Sequence, residues 1–192
     1  MKKAIMIASI LVVAIISTAC INNIAVQELN NKAAEFMQKG DYESAMSRLQ
    51  ASLDLDATMY QTYYNLGVAA INAKKYETAI NALEGGIEIN PDFNDFYYSL
   101  GVAQIGLADE IIDEADEAEE AVADTEKGSV EIKREVTEED KAKAIELRKS
   151  AIENLNKYIE KNPESKDKAD IEEMIKQSEE FISGDKKEEI KE

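Results

Sequence analysis

The chain repeats itself at a shift of 34 residues, and that period restricts its fold more than any other feature. Asn65-Leu66-Gly67-Val68 returns as Ser99-Leu100-Gly101-Val102, and Tyr60-x-x-Tyr63-Tyr64 returns as Asn94-x-x-Tyr97-Tyr98. Lys39-Gly40-Asp41-Tyr42-Glu43-Ser44-Ala45 returns as Ala73-Lys74-Lys75-Tyr76-Glu77-Thr78-Ala79. A unit this short cannot bury an apolar face alone, so stacked copies must share a continuous core. With 8 Gly and 2 Pro in 192 residues, and Ala, Glu, Lys, Leu and Ile dominant, each unit reads as helical. The predicted fold class is all-α.

Three units can be placed. The middle one, about 60–93, carries Tyr63, Leu66, Gly67, Ala79, Leu83, Gly86 and Pro91 in register, with a small Ala70. The first, about 26–59, carries Leu29, Ala33, Phe36, Ala45, Leu49 and Ser52, and departs at Lys32 and Ala57. The third opens with Tyr97, Leu100 and Gly101. Its second half, marked by Ala151, Leu155, Tyr158 and Pro163, comes 38 residues late. The pattern resembles the tetratricopeptide repeat (TPR), in which two antiparallel helices alternate small and large residues. The resemblance implies an array of helix hairpins over 26–164, the third interrupted by an insertion at about 109–146. Residues 165–183 then read as an amphipathic capping helix with Ile171, Met174, Ile175, Phe181 and Ile182 on its apolar side, and 184–192 as a charged, fraying tail.

Small residues at Gly67, Ala79, Gly86 and Gly101 let helices approach, and Tyr63, Leu66, Leu83, Tyr97 and Leu100 fill the space between them. Gly85 and Gly86 inside a helix each cost roughly 1 kcal/mol against Ala, so close packing explains at least one of them. Thr58 with Gln61, and Asp92 with Asp95, have capping-box spacing and predict helix starts. So does Thr137 with Asp140.

The insertion begins with ten acidic residues and no basic one over 109–126. Leu107, Ile111, Ala115, Ala118 and Val122 still form a helical stripe, and Ala144, Leu147, Ala151, Leu155 and Tyr158 form another. Both helices of the third repeat are therefore expected to be extended and joined near Gly128-Ser129 as a hairpin. Its charge reads first as a solvated face and second as an arm for a basic partner.

The N-terminus reads as an export signal. Lys2 and Lys3 precede an uncharged run from Ala4 to Ile16, too short for a spanning helix of ~20 residues, followed by Ser17-Thr18-Ala19-Cys20. Cys20, the single cysteine, stands where the lipobox of bacterial lipoproteins places its acylated residue, although Ser17 departs from the usual aliphatic. The resemblance implies a signal peptide at 1–19, a lipidated linker at 20–25, and an exported, membrane-anchored lipoprotein on the periplasmic or cell-surface side. Two other readings stay open: a plain cleavage site with a free thiol, and an uncleaved anchor, which Asn22 and Asn23 disfavour.

Composition bounds the function. The net charge is −18, and loss of Lys2 and Lys3 would make it −20. Nucleic acid and anionic headgroups are repelled, leaving the lipid as the membrane contact. There is no histidine, no phosphate loop, no nucleophile elbow and no EF-hand pattern, so no catalytic residue, metal ligand or cofactor site is expected.

What remains is binding. The resemblance implies a concave groove lined by the first helix of each repeat. From the first unit it takes Gln27, Asn30, Asn31, Ala34 and Met37; from the second Gln61, Tyr64, Asn65, Val68, Ile71 and Asn72; from the third Asp95, Tyr98, Ser99, Val102 and Ile105. Amides can pair with a peptide backbone, and tyrosine offers apolar area with a polar tip. The clamp with which some family members hold acidic chaperone tails falls on Asn30, Ala34, Asn65, Asp95 and Ser99. Only Asn65 agrees, so that ligand class is excluded. The expected function is a non-catalytic scaffold holding a protein or peptide at the cell envelope, in an assembly, secretion or pilus role. The alternative is a structural or host-contact lipoprotein acting through the acidic hairpin.

Overall fold

The computed structural model describes residues 23–120 and 136–188, with side chains at 23–113 and 136–184. Seven helices follow in order: α1 (residues 23–38), α2 (Tyr42–Leu55), α3 (Tyr60–Asn72), α4 (Tyr76–Ile89), α5 (Asp95–Glu120), α6 (Glu138–Lys161) and α7 (Lys168–Glu188). No strand occurs among the described residues. From α2 onward each helix packs on its neighbour in sequence, and α3 also touches α5. α1 joins through Ala33, which shares a buried cluster with Ala45, Leu49, Leu66 and Ala69.

The 34-residue period appears in the turns atom by atom. After α1, Gly40 N–H donates to Met37 O and Asp41 N–H to Phe36 O, both at 3.0 Å. After α3, Lys74 N–H donates to Ile71 O at 3.0 Å and Lys75 N–H to Ala70 O at 2.8 Å. The pivot residue is left-handed in both turns, Gly40 at φ 74° and Lys74 at φ 54°. A glycine reaches that conformation without the Cβ clash that a lysine must absorb. The corresponding position of the third unit is Ala108, which is buried while α5 runs straight through it. Loss of this one turn is how the third hairpin becomes long.

The extension leaves the packing register intact. A Cβ on Gly67 would strike Leu83, and one on Gly101 would strike Leu155. The same small-against-large contact thus recurs across the insertion, and both helices of the third hairpin are extended, as the stripe predicts. A Cβ on Gly86 would strike the Phe96 ring, so close packing accounts for this glycine.

Between hairpins, equivalent positions use different chemistry. In the first junction Asn30 Nδ2 donates to Ser52 Oγ at 2.7 Å, and Thr62 Oγ1 donates to Asn30 Oδ1 at 3.2 Å. Ser52 and Thr62 are fully buried, so this triad satisfies groups that would otherwise be costly. The second junction replaces Ser52 by Gly86 and Thr62 by Phe96. Phe96 is fully buried and packs edge-on against Tyr64 at 5.8 Å and Phe93 at 5.2 Å.

Helix starts depart from expectation in two places. Thr58 does not cap α3: its N–H and hydroxyl both donate to Asp56 Oδ1, at 2.9 and 2.6 Å, and the helix begins after Met59 without a side-chain cap. Those two bonds hold the Asp56 carboxyl below its usual range. Asp92 lies in a turn, its N–H donating to Asn90 Oδ1 at 3.3 Å, and α5 starts later, at Asp95. A competing local bond wins in both cases. Thr137 and Asp140 do form a complete capping box on α6, and Asp41 caps α2.

α7 spans Lys168–Glu188, starting three residues later than the predicted helix because Ser165 sits in a hydrogen-bonded turn. It also continues through Gly184, where the charged tail was expected to begin. Ile171 is fully buried, and Met174, Ile175, Phe181 and Ile182 are half-buried. Arg148, nine-tenths buried on α6, pairs with Asp109 of α5 and lies 4.3 Å from the centre of the Phe181 ring of α7. Burial pushes the Asp109 carboxyl up, against the opposing pull of Arg148. The expected signal segment, Cys20, the expected turn near Gly128-Ser129 and the chain end beyond Glu188 lie outside the described residues.

Candidate binding face

Because α1, α3 and α5 are equivalent helices, the predicted groove positions fall into rows one repeat apart. Gln27, Gln61 and Asp95 form one row, and all three are exposed. Gln27 bonds only within its own helix, Nε2 donating to Asn23 Oδ1 at 2.8 Å. In the next row Asn31 is exposed, Asn65 half-buried and Ser99 buried. Ala34 is exposed, and Val68 and Val102 are half-buried. Met37 and Ile71 are half-buried and pack on the two core clusters, and Ile105 is half-buried. Asn72 is exposed and donates to Val68 O at 2.8 Å.

The row Asn30, Tyr64, Tyr98 behaves differently, because each member reaches side chains of another helix. Asn30 is tied up in the buried triad. Tyr64 leans on Phe93 and Phe96, with the Ser99 hydroxyl and the Asp95 carboxylate close to its phenol. Tyr98 meets Tyr158 of α6 in a tilted ring contact with centroids 5.5 Å apart, and Asp167 and Asp170 are near. Burial first, and these carboxylates second, push both phenols above the ordinary tyrosine range. The structure therefore brings together Gln61, Asn65, Tyr64, Tyr98 and Asp95, and turns Asn30, Met37 and Ser99 into packing.

Asp167 and Asp170 were missed by sequence reasoning. Their signal was present: Asp95 and Tyr98, moved by one repeat plus the insertion, fall on positions 167 and 170. α7 thus occupies the place of a further first helix and continues the face. A separate cleft of about 490 Å³ opens between α2, α3 and α4, lined by residues such as Leu53, Asp54, Tyr63 and Asn81, which lie outside the predicted rows.

Among the described residues, no group of three or more His, Cys, Asp or Glu is placed to hold a metal ion. Nor is any helix among them long and apolar enough to cross a membrane.

Residues 36–105 match the family model for the tetratricopeptide repeat. Over those residues the helix hairpins form a TPR-type array. Solved structures with a similar course include one described as the crystal structure of MamA, 20% identical, covering 84% of this chain and 81% of that one with a TM-score of 0.44. Another, described as the crystal structure of MamA protein, is 21% identical and covers 88% of this chain and 78% of that one, with a TM-score of 0.45. No curated protein matches the sequence.

Proposed function

We propose that this chain is a non-catalytic scaffold that holds a protein or peptide partner on the face of α1, α3 and α5, and that Cys20 tethers it by lipid to an extracytoplasmic membrane. The observation that carries the binding reading is the row structure. The helices repeat, yet Asn31 and Gln61 are exposed and Asn65 is half-buried, and none of the three hydrogen-bonds to a neighbouring helix among the described residues. TPR-type arrays use this face for proteins, and amides with tyrosines suit a peptide backbone. The tether rests on the signal-like sequence before Cys20 and on the absence of a second cysteine to pair with it. An envelope role follows from that address.

The experiment is capture of partners from the native cell with Gln61→Ala and Asn65→Ala combined. These positions suit the test better than Tyr64, whose ring supports Phe96. The expected outcome is loss of most captured partner with the thermal midpoint little changed. An unchanged set of partners contradicts the reading.

A second reading, contact through the acidic hairpin, draws on the extension of α5 to Glu120. Shortening the hairpin would then abolish capture, whereas the Gln61 and Asn65 changes would not.

A further inference from the structure

The reading above leaves the partner's chemistry open, and the C-terminal half of the face narrows it. Tyr64, Tyr98 and Tyr158 gather here, Tyr98 and Tyr158 in ring contact at 5.5 Å. Around them stand Asp95 at the start of α5, Asp167 just before α7 and Asp170 in its first turn, all three exposed.

None of the three forms an ion pair among the described residues. The neighbouring cations are engaged elsewhere or stand apart. Lys157 and Lys161 lie over the Tyr97 ring, at 3.9 and 5.3 Å from its centre, and Lys161 also donates to Pro91 O at 3.4 Å. Lys168 faces Glu172 at 3.9 Å. Lys166, exposed in the turn before α7, makes no ion pair with them. Lys157 over Tyr97 further shows that an ammonium seats on a tyrosine ring within this same fold. The open face carries rings and carboxylates without the cation.

We propose that the face formed by α3, α5 and the start of α7 docks a protein segment bearing lysine or arginine, its cationic head between the Tyr98 ring and the carboxylates of Asp95, Asp167 and Asp170. The inference rests on the binding reading and specifies its ligand. Ring and carboxylate act together on such a head, the ring through its negative face and the carboxylates through charge. The amides of Gln61 and Asn65 border the same surface and remain available to the segment's backbone. Charge alone does not define the place, since −18 is spread over the whole chain. The phenols do.

The test uses the full chain and a fluorescent peptide of alternating lysine and glycine, titrated at about 0.15 M ionic strength so that long-range attraction is screened. One variant combines Asp95→Asn, Asp167→Asn and Asp170→Asn. A control with the same net charge combines Glu43→Gln, Glu84→Gln and Glu88→Gln, all exposed on α2 and α4. The expected result is about tenfold weaker binding for the first variant and less than about twofold for the control. Equal losses, or none in either, overturn the proposal. Capture from cells with the Gln61 and Asn65 changes separates the two levels. If that capture still falls while the two acidic variants behave alike, the face binds proteins but not through cationic segments.

Discussion

Lys74 is the plainest case of a residue at odds with its position. It holds the left-handed pivot that Gly40 holds one repeat earlier, with the same hydrogen bonds on either side. That conformation costs a residue with a Cβ about 1–2 kcal/mol. Lys74→Gly is therefore expected to stabilise the chain by about 1 kcal/mol, partly offset by the larger unfolded-state freedom of glycine, raising the thermal midpoint by roughly 2–4 °C. A calorimetric scan of the two proteins checks it. Asn30 teaches the opposite lesson about reading a sequence. As an outward amide it looked like a binding residue, yet it satisfies Ser52 and Thr62 across a junction. The clue was on the other helices: a polar pair at the positions held by Gly86 and Phe96 in the next repeat demands a third polar partner.

At the scale of elements, the third hairpin was legible and the way it is fastened was not. Stripe spacing and the Thr137–Asp140 box predict two long helices, and the small-large contacts keep their register. The fastening is Arg148, one charged residue on the seam between Ala144 and Ala151. It joins Asp109 of α5 to Phe181 of α7. Asp109 is one of ten acids in a run, so nothing in the sequence marks it out, whereas a lone arginine on an apolar stripe was a signal that could have been read. Arg148→Ala removes the ring contact and leaves Asp109 unpaired in a half-buried place. The expected loss is about 2 kcal/mol, reduced from the value for a fully buried pair because Asp109 is partly solvated. Hydrogen exchange should show α7 amides opening faster while α3 and α4 stay protected. Uniform acceleration across all helices would mean that α7 is not separately held. The late start of α7, and its passage through Gly184, were hidden because a turn bond at Ser165 and a tolerated helical glycine leave no periodic trace.

For the whole molecule, the 34-residue period accounts for the array, since each hairpin needs its neighbour to bury its face. What a period cannot convey is which face remains open, because that depends on where side chains find partners between hairpins. Cys20 supplies the proposed address, and Cys20→Ser is expected to release an intact domain from the membrane fraction into the soluble one; continued sedimentation with membranes would contradict lipid tethering. The central claim is that partners bind on the face of α1, α3 and α5. Its most direct measurement places a photo-crosslinking residue at Asn65, and separately at Asn81 in the cleft on the other side of α3, in the native cell. The account predicts a discrete crosslinked partner from position 65 and none from position 81. Crosslinks from position 81 alone would contradict it.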